Sequence, residues 1–397
     1  MLVIIGLALL WYGLAPTAGA LFKRYKWFKF RGRVNELRLR PIMDNRAYWR
    51  QETSNEADPC VFRFIGDFEA VTDDQILWVR SADLLVPVFL KNAETYLLPM
   101  QRGEGAPEAS DPGEEAPEKI RPERISAIAD GARVFVGGRL TQRDGRWGFV
   151  SAKESPLTVI FYDGPDHSLA TKAIWAGRQQ GEYFNPVTPY ALIIGAVCLL
   201  SIAAFYLPRP AFRPAVIMSI IATFLPLFPL VPPGLLFTVA YRRLTRKSRI
   251  LRAYSDLAKL PLRHFAEENA ATAYGDLAAP LSGKRVLPDG QPYGFVRSAR
   301  LPPEAQEGKI PVLIPEITEL KAGENWYTFG AIRPSELLPF RPRDPFATFG
   351  VLPGNPRELS RRFTAKAYAL EAVAWLMLMS GIALNLFFLG MILPVLV

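Results

Sequence analysis

The chain has 397 residues, 50% of them hydrophobic, a formal net charge of +9, and 47 Lys and Arg against 38 Asp and Glu. Residues 1–22, 183–208, 214–241 and 372–397 contain no charged residue and no His, and each run is long enough to cross a hydrocarbon core, which needs about 20 apolar residues. A single water-soluble globule is excluded, and two Cys with two His cannot build a zinc module holding two metals.

In chain order, residues 1–22 read as the first transmembrane helix. Ala18-Gly19-Ala20 looks like a signal-peptidase site, but the basic residues Lys23, Arg24, Lys26 and Lys29 follow the apolar run instead of preceding it, so a retained anchor is expected. Residues 23–182 form a first soluble domain. Runs of β-branched and aromatic residues at 76–79, 133–136, 148–151 and 158–162, separated by Gly, Pro and Asp, predict strands. The acidic, Pro- and Gly-containing insert 103–118 cannot bury apolar surface and is expected to be a solvated loop. Cys60 is expected to act as a partly buried hydrophobe.

Residues 183–208 are the second span and 214–241 the third. The third contains Pro226, Pro229, Pro232 and Pro233 followed by Gly234, and each proline removes a backbone donor and clashes with the preceding turn, so a regular helix is excluded there. The freed carbonyls must then find protein or water. Residues 242–371 form a second soluble domain, and 372–397 the fourth span. Asn355, Pro356 and Glu358 have the order of a helix N-terminus, and no Gly or Pro interrupts from there to Ser380, which predicts one helix running from the domain into the span. The fold class expected is a multi-pass α-helical membrane protein with four transmembrane helices and two small α+β, strand-rich soluble domains.

Basic residues near the span ends set the orientation. Twenty Lys and Arg flank the spans on the side of the two large loops, and only Arg209 and Arg213 lie on the other. Both domains are therefore expected in the cytoplasm and both termini outside, in a bacterial inner membrane, the bacterial origin being suggested by the excess of Arg over Lys. Lys23, Arg24, Arg242 and Arg243 are candidate contacts to anionic lipid headgroups. That placement accounts for the net charge without nucleic acid as a partner.

Short strings recur in the same order in the two loops. WVRSADL (78–84) matches FVRSARL (295–301), PVFL (87–90) matches PVLI (311–314), ARVFVGGRL (132–140) lines up with NWYTFGAI (325–332), and PLTVIFY (156–162) with PFATFGV (345–351). An internal duplication is expected, with Arg80 and Arg297 in equivalent places, where each would pair with a local carboxylate or contact an acidic partner or a lipid phosphate. The stretch GARVFVGGRL (131–140), followed by SPLTVIFY (155–162) and by Leu169 at the start of an exit helix, resembles the beside-a-membrane (GIDE) domain of membrane-anchored RING-type E3 ubiquitin ligases. The resemblance implies a domain that binds or senses something beside a membrane; the RING of those ligases is excluded by the Cys and His count.

No P-loop, GxGxxG, HExxH or GxSxG pattern occurs, so no catalytic residue, cofactor or metal ligand is assigned. Glu371 is the acid adjoining a span, suited to an ion path or to interfacial pairing with Lys366 and Arg362 on its own helix. His167 and His264 lack partners at ligand spacing and are expected on polar surface or at helix caps. The function expected is non-catalytic recognition or scaffolding, with lipids and a protein partner bound at the soluble domains. A small transporter or channel using Pro226, Pro229, Pro232 and Glu371 is the alternative, and a ligase-related membrane protein without its own RING a second.

Overall fold

A computed structural model describes residues 2–53, 61–99, 117–176, 183–265, 285–314, 325–333 and 338–396, apart from positions 73, 83, 129, 130 and 144. Cys60 and positions 103–116 of the acidic insert lie outside the described residues. The helices used below are α1 (Leu2–Leu37), α2 (Asn45–Thr53), α3 (Leu169–Ala176), α4 (Thr188–Tyr206), α5 (Arg213–Phe224), α6 (Gly234–Lys259) and α7 (Pro356–Leu396). Two units emerge, each assembled from separated stretches of sequence: a helical one from Met1–Lys29, Arg178–Arg252 and Arg362–Val397, and a strand-rich one from Phe30–Gly177 and Ala253–Arg361.

In the helical unit, four helical segments are long and apolar enough to cross a membrane: Leu2–Leu37, Thr188–Tyr206, Pro210–Leu230 and Pro356–Met391. Their large apolar side chains mostly face outward, Leu2, Ile193 and Leu376 being 85%, 62% and 62% exposed. α1 does not stop where its charges begin, so the basic residues from Lys23 onward ride on the helix itself. Ile4, Ala8 and Tyr12 of α1 pack on Leu199 of α4, and the Ser219 hydroxyl of α5 donates to the Leu199 carbonyl at 2.6 Å. α7 begins as its sequence predicts: the Asn355 side-chain oxygen accepts the Arg357 N–H at 3.0 Å, and the helix continues for 41 residues.

The third charge-free window, expected as one segment, divides in two. α5 passes into a 3-10 turn at Leu225–Leu230, a cis Pro232–Pro233 peptide follows, and α6 starts at Gly234. The prolines make the division, and side chains cover the backbone they free. Asn385 of α7 donates to the carbonyls of Phe228 (2.6 Å) and Val231 (3.0 Å), and Thr238 donates to that of Pro229 (2.6 Å). Gly234 permits the approach, since a Cβ there would come within 3 Å of both the Asn385 amide and the Phe228 carbonyl.

The strand-rich unit holds β1 (Val61–Val71), β2 (Ile76–Ser81), β3 (Leu84–Phe89), β4 (Glu94–Leu97), β5 (Glu118–Lys119), β6 (Arg133–Arg143), β7 (Arg146–Val150) and β8 (Thr158–Tyr162) in an eight-stranded sheet. β9 (Arg285–Val286), β10 (Pro292–Ser298), β11 (Trp326–Ala331) and β12 (Gly350–Pro353) form a second sheet of four. β1 is long enough to pair with β6 from Val61 to Asp67 and with β2 from Asp67 to Val71, its register with β2 shifting at a bulge between Phe68 and Ala70. Strands β1, β2, β3, β7 and β6 thereby close into a small barrel, the junction of β3 with β7 being parallel. Phe64, Leu77, Val79, Val86, Val88, Val136 and Phe149 belong to its buried core.

β6 and β8 are buried on both faces, which is why they read as nearly continuous apolar runs instead of alternating ones. Phe64 and Val136 belong to the core side, whereas Phe135 meets Phe346 edge to face at 5.2 Å. The Gly137-Gly138 pair has a packing reason: a Cβ at either position would come within 3 Å of Leu37 or Leu157 respectively. Arg80 lies on β2, between β1 and β3, whereas Arg297 lies on β10, between β9 and β11.

Candidate functional site

The charged centre of the strand-rich unit was not singled out by the sequence. Arg63 stands near the start of β1 with its side chain fully buried, and its guanidinium pairs with Asp344, 1% exposed. The same guanidinium donates through Nε to the Arg40 carbonyl at 2.6 Å and lies 5.0 Å over the Phe346 ring. Asp344 in turn accepts the Phe346 N–H at 2.9 Å within its own loop, so the ion pair ties the 341–349 loop to β1. Burial lowers the Arg63 pKa, and the Asp344 charge and hydrogen bond oppose the shift.

Arg38, at the end of α1, is also buried. Its Nη2 donates to the carbonyl of Leu260 and the hydroxyl of Thr348, each at 3.0 Å, and lies 2.8 Å from Nε2 of His264. The Thr348 N–H reaches the same His264 nitrogen at 3.2 Å. The backbone N–H donates to that nitrogen, which therefore carries the lone pair, so His264 is neutral with its proton on Nδ1. The electrostatics agree: burial, then the charges of Arg38 and Arg63, hold the His264 pKa well below its ordinary value. Burial likewise brings Arg38 down to about 10 and raises the Tyr293 hydroxyl, which donates to the Thr348 carbonyl at 2.7 Å. His264 was expected on polar surface or at a helix cap; it is instead buried among these groups.

A cavity of about 430 Å³ adjoins this network. Ala170, Thr171 and Trp175 of α3 and Tyr254 and Leu257 of α6 form one side, with Trp175 and Tyr254 in edge-to-face contact at 5.7 Å. The 341–349 loop, Leu313 and Lys309 form another. Lys309, Arg341 and Arg343 are exposed at its edge, and Arg38 belongs to its lining. Its volume falls within the usual range for small-molecule sites.

The residues singled out by the sequence are distributed among other places. Glu371 receives Arg24 of α1 at 3.2 Å and Arg252 of α6, and its side chain is 14% exposed. Its partners were expected on its own helix; Lys366 and Arg362, five and nine positions back, do not share its helical face, so cross-helix arginines take that role. Glu371, Arg24, Tyr183, Tyr241 and Trp375 line a second cavity of about 230 Å³ in the helical unit. Arg242 lies 5.6 Å over Phe184; Lys23 is half-buried on α1 and Arg243 exposed on α6. Arg80 pairs with Glu69 at 2.6 Å on the neighbouring strand, and Arg297 is exposed. Pro226, Pro229 and Pro232 shape the break before α6, and exposed His167 adjoins the larger cavity.

The described residues thus define a chain with four helices of membrane-span character and a small-barrel unit bearing a sizeable cavity. Comparison with protein-family models, with characterised proteins and with solved structures gives no match. Among the described residues no group of three or more His, Cys, Asp or Glu could hold a metal ion. Arg63 could have been noticed as a lone cation inside an apolar strand run; nothing local marked Asp344 as its partner.

Proposed function

We propose that the chain is an integral membrane protein whose strand-rich unit acts, without catalysis, as a recognition module beside the bilayer. The observation that carries this reading is the cavity of about 430 Å³ in that unit. The buried ionisable groups behind it are committed to holding its walls: Asp344 to Arg63, and His264 to Arg38 and Thr348. Such an arrangement supports binding over acid–base chemistry. The outward apolar side chains of the four long helices support insertion, and the bias of Lys and Arg supports the unit lying in the cytoplasm.

Two further inferences belong with this reading. The passage from β6 with its Gly137-Gly138 pair to β8 and then α3 at Leu169 supports the likeness to beside-a-membrane domains. The antiparallel order β1-β6-β8, leading to α3, has the same form as β10-β11-β12, leading to α7, which supports a duplication in a register other than that of the VRSA strings. Transport through the broken third span is less well supported, because Asn385 and Thr238 already occupy the carbonyls that would coordinate an ion. Photocrosslinkers placed at Thr171 and Arg343 of the full chain in native membranes test the proposal. Capture of a specific protein or small molecule is expected, and no capture at either position would overturn recognition.

A further inference from the structure

We propose that the cavity of the strand-rich unit binds a small anionic amphiphile, a molecule with one phosphate or carboxylate head and a short apolar body. The inference rests on the recognition reading and adds a ligand class to it.

Charge is the first argument. Lys309, Arg341 and Arg343 stand at the edge of the cavity and Arg38 in its lining. The cavity's own carboxylate, Asp344, is already matched by Arg63, and Glu307 pairs with Lys309 at 2.6 Å. Among the described residues no carboxylate forms an ion pair with Arg38: its Nη2 lies within hydrogen-bond distance of a carbonyl, a hydroxyl and a neutral imidazole, and the charge of Asp344, held by Arg63, acts on it only at longer range. Buried charges in proteins are ordinarily paired, so a buried guanidinium with only neutral partners, beside a cavity edged by two arginines, leaves positive charge for a ligand to answer. Arginine at such an edge suits phosphate and carboxylate, whose oxygens accept its parallel N–H groups.

The apolar walls are the second argument. Trp175, Leu257, Leu313 and Phe346 all contribute to the lining, and a free inorganic anion would leave that surface facing water. An amphiphile satisfies both parts, its head among the cations and its body along these side chains, with burial contributing about 25 cal/mol per Å² of apolar surface covered.

The test uses the full chain in nanodiscs of neutral phosphatidylcholine, with equilibrium dialysis of labelled hexyl phosphate, inorganic phosphate and hexanol. Saturable binding of hexyl phosphate is expected, at least tenfold tighter than that of either other probe. Arg341→Ala with Arg343→Ala, both exposed positions, should weaken hexyl phosphate at least tenfold and leave hexanol unchanged, and Thr171→Trp should block the cavity. Lys309→Ala, also exposed, gives an independent check and should weaken it in the same direction. Absence of saturable binding, equal affinity in the double variant, or inorganic phosphate binding as tightly as hexyl phosphate would each overturn the proposal, as would displacement by an acidic peptide alone. Failure here with crosslinks still formed from Thr171 or Arg343 removes the ligand class only; failure of both removes recognition as well.

Discussion

Arg63 and Asp344 form a fully buried ion pair, so the cost of breaking it is set by the charge left behind. Asp344→Ala is expected to destabilise the strand-rich unit by about 3–5 kcal/mol, since one uncompensated guanidinium remains in the interior. Arg63→Met combined with Asp344→Leu should recover most of that loss, and tryptophan fluorescence during denaturation of the solubilised chain measures both. His264 makes a second residue-scale prediction. It is held neutral in the folded state, whereas in the unfolded chain it titrates near about 6.5. Below that pH the unfolded state takes up a proton that the folded state refuses, so this contribution to stability is present above about pH 6.5 and is lost as pH falls beneath it. Unfolding midpoints between pH 7.5 and 5.5 should show the decline, and His264→Gln should flatten it. Neither residue's role was legible in the sequence, because each depends on a partner more than 200 positions away: Arg63 on Asp344, and His264 on Arg38.

The break in the third span, by contrast, was legible: its prolines forbid a regular helix whatever surrounds them. The sequence could not show what covers the exposed carbonyls, since Asn385 lies 157 positions from Phe228. Asn385→Leu should weaken the helical unit by about 1–2 kcal/mol, read as a lower midpoint in detergent denaturation. Gly234→Ala should have a comparable effect, because its new methyl would press on the same amide and carbonyl. Among the strands, 158–162 was predicted with the bounds observed for β8, its β-branched and aromatic residues being flanked by Pro156 and Asp163. β1, as long as any strand here, was missed. Arg63 breaks its apolar pattern, and its two halves serve different neighbours. Gly137→Val should destabilise the strand-rich unit, since the added carbons collide with Leu37, whereas Gly145→Ala meets no atom within 4 Å; its positive φ of 74° then sets the smaller cost.

At the scale of the molecule, the charge-free windows overlap the four long apolar helices, the first of which runs on past its window to Leu37 while the third window extends into α6, and their flanking charges make a topology prediction. A reporter active only outside the cytoplasm should be active when fused after Arg209 or Val397 and inactive after Lys23; the reverse pattern would place the strand-rich unit outside. The sequence suggested two separate soluble domains because two long loops lie between spans, yet residues from both loops gather in one unit. Loop boundaries mark where the chain leaves an apolar stretch, not with which residues it will pack. That interrupted layout has a consequence during synthesis. The residues that close the barrel are made early, but Asp344 follows Arg63 by 281 positions, about 15 to 55 s at ordinary rates of elongation. Through that interval the ribosome must release an apolar hairpin while a nascent β-structure with one buried cation waits for its counter-charge. A chain stalled before residue 344 should therefore present a protease-sensitive barrel, and one stalled after the 341–349 loop has emerged a resistant one.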